Sequence, residues 1–203
     1  NVENLRILST GAANAYGNTL GNVFHAGAGN NYVNGGSGYD MLAYGYASSG
    51  VTVSLTLTGA QATGGSGSDT LVAFERLSGS LYDDWLTGSG RANVLYGGGG
   101  NDLLYGATGA DTLSGGIGND RFRFVSVTDG RDTITDFVSG QDDFAIRAVS
   151  FGLTAGAAAR VVVKRGESVR DVQHARDQRA PQRLLLAEQP SIKPHRLYGE
   201  SRI

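Results

Sequence analysis

Five aspartates of this chain share one local setting. Asp40, Asp69, Asp102, Asp111 and Asp120 each hold the sixth place of a nine-residue unit, GGxGxDxUx, in which U is a large apolar residue. The fullest copy is Gly97 to Tyr105 (GGGGNDLLY), and the same frame gives Gly35 to Ala43, Gly64 to Val72, Gly106 to Ser114 and Gly115 to Arg123. Weaker copies occupy Gly17 to His25, Ala26 to Asn34, Gly79 to Thr87 and Gly88 to Tyr96. In the weaker copies Asn31 and Asn93 replace the aspartate, and Asp84 lies in a loop with Ser80 and Tyr82 at its second and fourth places. The candidate metal-binding positions are therefore Asn31; Gly35, Gly36, Gly38 and Asp40; Gly64, Gly65, Gly67 and Asp69; Asp84; Asn93; Gly97, Gly98, Gly100 and Asp102; Gly106, Gly109 and Asp111; and Gly115, Gly116, Gly118 and Asp120.

The chemistry open to such loops is that of a hard cation. They offer carboxylate and backbone carbonyl oxygens and contain neither cysteine nor histidine, save His25 at the end of one weak copy. Calcium fits better than magnesium, because flexible glycine loops supply six or more oxygens without enforcing strict octahedral geometry. A single GGxGxD is a weak signal. Nine copies, five of them contiguous from Gly79 to Arg123, are a strong one.

The period also dictates the elements that hold the loops. Glycines at the first, second and fourth places are expected to allow positive φ and a sharp turn. The last three places form a short strand whose middle side chain points inward. Those inward residues are Phe24, Val33, Leu42, Leu71, Leu86, Leu95, Leu104, Leu113 and Phe122, all large and apolar. One unit cannot bury a single side chain alone, but two units per coil, stacked about 4.8 Å apart, enclose a thin two-sided core. Same-side loops are then 18 residues apart, which sets Asp84 over Asp102 over Asp120 and Asn93 over Asp111. Carboxylates about 5 Å apart repel by roughly 0.8 kcal/mol in water and by several times that near a protein surface, so a cation is expected between them.

The pattern resembles the RTX (repeats-in-toxin) calcium-binding nonapeptide family. The resemblance implies an all-β, right-handed parallel β-roll, a two-sided β-helix solenoid with several calcium ions between stacked loops. It also implies a secreted, extracellular bacterial protein that passes through type I secretion machinery unfolded and folds on external calcium. Residues 1–123 are expected to form the roll, with an inserted strand segment at 44–63, where Val51, Val53, Leu55 and Leu57 share one face of an alternating run. Residues 124–154, with Asp132 to Phe137 and Asp142-Asp143-Phe144, resemble the segment that follows the last repeat in serralysin-type proteases. They are expected to cap the roll, since an open strand edge invites aggregation. Asp129, Asp132 and Asp136 there read equally as a last calcium site or as a solvated turn.

Residues 155–203 form an atypical basic tail, expected to be disordered or partly helical at Ser168 to Arg179. Thirty of the 32 glycines precede residue 160, and the acidic excess of the first 159 residues, 14 Asp or Glu against 7 Arg, gives way to 10 basic and 5 acidic residues after it. A different reading frame or an appended extension would explain so abrupt a change. The chain starts at Asn1 without methionine, which suggests a fragment or processed product.

Other function classes find little support. A net charge of −2 with 18% charged residues argues against nucleic acid, and no apolar run reaches the roughly 18 residues that span a bilayer. With no cysteine there is no disulfide framework. His25, His174 and His195 make no HExxH or paired-ligand spacing, and neither GxSxG nor a P-loop occurs. A noncatalytic module is the leading expectation. The alternative is an adhesive or polysaccharide-binding module whose outward Trp85, Tyr96 and Tyr105 meet a glycan or cell surface.

Overall fold

The computed structural model describes residues 3–151 and the backbone of two further strands, β17 (Arg160–Val162) and β18 (Arg183–Leu185), which pair in parallel. The chain folds as an all-β solenoid of about eight turns. Its strands alternate between two walls, as a nine-residue period requires. The first wall is a seven-stranded parallel sheet of β1 (Asn4–Arg6), β3 (Val23–His25), β5 (Met41–Ala43), β9 (Arg76–Ser78), β11 (Val94–Gly99), β13 (Thr112–Ile117) and β15 (Thr133–Ile134). Opposite it lie two sheets. One holds β2 (Ala13–Tyr16), β4 (Asn31–Asn34), β8 (Gly67–Val72) and β7 (Gln61–Gly64); the other holds β6 (Thr52–Ser54), β10 (Trp85–Thr87), β12 (Leu103–Tyr105), β14 (Arg121–Phe124) and β16 (Asp143–Ile146). An antiparallel bridge between Val51 and Gly64 links the two.

Register follows the repeat. Leu86 pairs with Leu104 and Leu104 with Phe122, each 18 residues on, while Leu95 pairs with Leu113 in the other wall. All nine residues expected to point inward are buried, the most exposed being Leu71 at 5%. Leu86, Leu95, Leu104, Leu113 and Phe122 form a continuous apolar column.

The glycines divide their labour differently from the expectation. Positive φ is confined to the second and fourth places of the regular loops, as at Gly98 (114°) and Gly100 (102°), or Gly116 (100°) and Gly118 (148°). Ala107 takes the second place of its loop at φ 70°, a strained setting for an L-residue. First-place glycines are needed for space instead: a methyl group on Gly97 would collide with the Asp102 carboxylate of its own loop and with the Gly115 carbonyl of the next coil.

The insertion also departs from a plain strand. Val51 and Val53 are buried, but the strand stops at Ser54 and Leu57 is half exposed. The hydroxyls that would mark an outward face make the turn: Ser54 Oγ accepts the Thr56 N–H at 3.2 Å and lies 2.7 Å from Thr56 Oγ1. The chain then doubles back as β7, antiparallel to β8, so Gly64 to Gly67 connect a hairpin rather than turn a coil. Among the described residues the second wall thus holds nine strands against seven in the first. Gln61 Oε1 accepts the Ser54 N–H at 2.7 Å and Gln61 Nε2 donates to the Ser54 carbonyl at 3.0 Å, so a side chain completes the pairing where the backbone turns away.

Beyond the last repeat β15 and β16 continue both walls in register with β13 and β14. Phe137 stacks on Phe144 at 4.7 Å, and Phe144 lies 6.3 Å from Phe122, closing the apolar column. The helix considered for Ser168 to Arg179 lies outside the described residues, as does most of the tail.

Leu104 is fully buried, so Leu104→Ala should cost about 2–5 kcal/mol of stability in urea titrations at saturating calcium. Ile117→Ala, at an 81% exposed position, should stay within about 0.5 kcal/mol of the parent.

Candidate metal centre

Two rows of loops connect the walls, and the sixth-place side chains run down each row as a ladder. In the first row Asn22, Asp40, Glu75, Asn93, Asp111 and Asp132 precede successive strands of the seven-stranded wall; in the second, Asp84, Asp102, Asp120 and Asp142 do so, with Asn31 and Asp69 in the separate sheet. Wherever Asp or Glu holds the place, one carboxylate oxygen accepts the backbone N–H of the residue stacked on it in the coil before. Asp84 N–H donates to Asp102 Oδ1 at 2.8 Å, Asp102 N–H to Asp120 Oδ1 at 2.9 Å and Asp120 N–H to Asp142 Oδ1 at 3.0 Å. In the first row Asn22 donates to Asp40 Oδ1 at 2.6 Å, Asn93 to Asp111 Oδ1 at 2.7 Å and Asp111 to Asp132 Oδ1 at 3.0 Å. The stacking read from the 18-residue spacing is the one observed.

The remaining oxygen separates two kinds of loop. Where serine or asparagine holds the second place, the loop closes on itself. Ser80 donates its N–H to Asp84 Oδ2 at 2.5 Å, and Ser89 and Asn18 donate theirs to Asn93 Oδ1 at 2.6 Å and Asn22 Oδ1 at 2.9 Å. Where Gly36, Gly98 or Ala107 holds that place at positive φ, Asp40 Oδ2, Asp102 Oδ2 and Asp111 Oδ2 are buried without a hydrogen-bond partner. A buried anionic oxygen with no donor is costly, and it points to a positive partner.

Electrostatics agree. Burial pushes Asp102 up to about 7, reinforced by the charges of Asp84, Asp120 and Asp83. It raises Asp111 to about 6 and Asp132 to about 7, the latter also through Asp111 and Asp129. Asp40, Asp69, Asp84 and Asp120 are raised for the same primary reason. No group of three or more His, Cys, Asp or Glu side chains converges among the described residues, so a bound ion would draw mainly on loop carbonyls with carboxylates from stacked loops of one row. That donor set of hard oxygens in a flexible backbone suits calcium. Gly35, Gly36 and Gly38 with Asp40, Gly97, Gly98 and Gly100 with Asp102, Gly106 and Gly109 with Asp111, and Gly115, Gly116 and Gly118 with Asp120 are brought together in such loops.

Other sequence candidates lie elsewhere. Gly64, Gly65 and Gly67 belong to the β7–β8 hairpin. Asp69 is fully hydrogen-bonded by protein groups, receiving the Tyr44 hydroxyl on Oδ2 at 2.9 Å and the Asn31 backbone N–H and side-chain amide on Oδ1 at 2.9 and 3.0 Å. Asp129 is satisfied by its own loop, through the N–H groups of Val125 and Ser126, and Asp136 by those of Gly115 and Gly116. Neither Asp129 nor Asp132 is solvated, at 3% and 2% exposure. Sequence reading missed Glu75, whose Oε2 takes the ladder bond from Asp40 N–H at 2.9 Å, because 35 residues separate it from Asp40 and no repeat frames it.

The three outward aromatics do not share a face. Trp85 and Tyr105 stand on β10 and β12 of the second wall, with Arg123 lying 6.0 and 5.6 Å over their rings, while Tyr96 stands on β11 of the first. Of the histidines, His25 packs edge-on to Tyr46 at 5.6 Å; His174 and His195 lie outside the described residues.

A family model described as RTX calcium-binding nonapeptide repeat (4 copies) matches residues 10–45, 78–113 and 87–122. No curated protein matches the chain significantly.

Gly97→Ala should weaken calcium binding and destabilise the roll by about 1–3 kcal/mol, since the added methyl meets Asp102 and the next coil; Gly90→Ala, whose nearest neighbour would be Thr108 Oγ1 at 3.6 Å, should change neither. Calcium titration by calorimetry and thermal melts compare the pair. Raised carboxyl groups also set a pH dependence. In the unfolded chain these aspartates ionise near 3.9, whereas calcium-free folded Asp102, Asp111 and Asp132 hold their protons to about 7, 6 and 7. Their contribution to the metal-free fold is complete below pH about 4 and is lost as pH rises through 6 to 7. Melts in chelator should therefore fall from pH 5 to pH 8, while calcium affinity rises over the same interval.

Proposed function

We propose that this chain of RTX calcium-binding nonapeptide repeats, a calcium-binding β-roll module, is a noncatalytic part of a secreted bacterial protein that folds when it meets calcium outside the cell. The observation that carries the reading is the set of buried, partnerless oxygens on Asp40, Asp102 and Asp111. Asp40, Asp102, Asp111 and Asp120, with the glycine-loop carbonyls beside them, would hold the ions. Calcium there supplies positive charge to carboxylates that burial otherwise drives to protonate.

The consequence is coupling between the ion and the fold. At calcium tenfold above its dissociation constant each site adds about 1.4 kcal/mol, and several sites in one ladder decide whether a glycine-rich chain with a thin core folds. Scarce cytosolic calcium then leaves the chain unfolded and suited to type I export, and abundant external calcium folds it. A polysaccharide-binding reading is not favoured, because Tyr96 lies on the opposite wall from Trp85 and Tyr105.

Circular dichroism in chelator-treated buffer should show little strand signal at neutral pH and a cooperative gain on adding calcium. A strand signal that ignores calcium overturns the reading. Asp102→Asn, which keeps an acceptor for Asp84 N–H but removes the charge, should raise the calcium midpoint several-fold. Glu3→Gln, at an exposed position at the N-terminal end of the roll, should leave it close to the parent.

A further inference from the structure

The geometry points to a calcium-free joint within the roll: we propose that at the Asn31–Asp69 rung the side-chain amide of Asn31 sits where the other loops admit an ion. Asn31 Nδ2 donates to the Gly27 carbonyl at 3.1 Å, the Gly29 carbonyl at 2.7 Å and Asp69 Oδ1 at 3.0 Å. Two carbonyls of its own loop and a carboxylate from the facing coil thus converge on one nitrogen, the kind of oxygen set that would otherwise receive a cation. The amide orientation follows from this set, because the reversed amide would aim its oxygen at three acceptors.

Both oxygens of the Asp69 carboxylate and the Gly27 carbonyl receive further donors from the protein. Ser66 Oγ donates to Gly27 O at 2.7 Å, Tyr44 Oη to Asp69 Oδ2 at 2.9 Å and Asn31 N–H to Asp69 Oδ1 at 2.9 Å. No anionic oxygen is left for an ion to bind, since the one buried acceptor without a donor there is the neutral Asn31 Oδ1, whereas Asp40, Asp102 and Asp111 each keep a buried carboxylate oxygen free. Two of the donors come from the insertion and its approach: Tyr44, fully buried, follows β5, and Ser66 lies in the β7–β8 hairpin. The insertion therefore carries its own replacements for calcium, and it interrupts the second loop row between Asp69 and Asp84.

The inference rests on calcium-driven folding of the remaining rungs, and the test separates the two. Hydrogen exchange on the full 203-residue chain would compare amides of Asn31, Tyr32 and Leu71 with those of Asp102, Leu104 and Leu113, in chelator and in excess calcium. Protection of the first group in chelator, at least about tenfold above the second, with calcium restoring the second, supports the joint. Equal loss in both groups, reversed equally by calcium, overturns it and leaves the folding reading intact. Protection of both groups regardless of calcium overturns both. Asn31→Asp places a second carboxylate against Asp69 Oδ1; it should bind one more calcium per chain by equilibrium dialysis and lose the metal-free protection of Tyr32. Unchanged calcium stoichiometry in that variant also counts against the joint.

Discussion

The rest of this architecture depends on burying a carboxylate, or an asparagine in its stead, at a fixed place in the repeat. A solenoid with one inward apolar residue per strand has a thin core, and the loops that turn it expose a row of polar backbone groups near its interior. The sixth-place aspartate resolves half of that problem by accepting an N–H from the neighbouring coil. It creates the other half, since a second oxygen goes inside with it. A loop then has two solutions. It can supply a donor of its own, as Ser80 does for Asp84, or leave the place to a cation. The choice turns on one backbone angle at the second place, where glycine, or a strained alanine at 107, directs the amide elsewhere.

Much of this was legible in the sequence. The period of nine located the inward residue of each repeat, because Leu86, Leu104 and Phe122 recur every 18 residues, but not Leu77 of β9, which is fully buried outside any repeat. The 18-residue stacking of Asp84, Asp102 and Asp120 followed from the same count. What failed to show was whatever the period does not govern. Gly64 to Gly67 fit the repeat as a string, yet they turn a hairpin, since the strand before them runs antiparallel. Tyr44 and Glu75 lie outside any repeat, and only the fold brings them to a carboxylate and to the ladder. Ser80 was visible as a lost glycine, and Ser89 holds the same second place one repeat later. Their replacement role needed the hydrogen bonds to be seen.

The insertion illustrates how a repeat protein absorbs an irregularity. Two additional strands enter one wall while the other continues from β5 to β9 without a gap, and pairing there stays parallel and in register. The disturbance is contained by side chains: Gln61 completes Ser54, Tyr44 fills the interior, and Phe24 meets Phe74 edge-on at 5.7 Å. None of these contacts uses the glycine loops, so the regular coils on either side keep their own chemistry.

The ladder bonds all point one way, from the amide of an earlier coil to the carboxylate of a later one. The two ends of the roll are consequently unlike. Stripped of its upstream neighbour, a coil exposes a carboxylate, which water solvates well. Stripped of its downstream neighbour, it is left with an N–H that has lost its protein acceptor. The polarity ends in the segment after the last repeat, where Asp132 and Asp142 supply the final acceptors to the amides of Asp111 and Asp120.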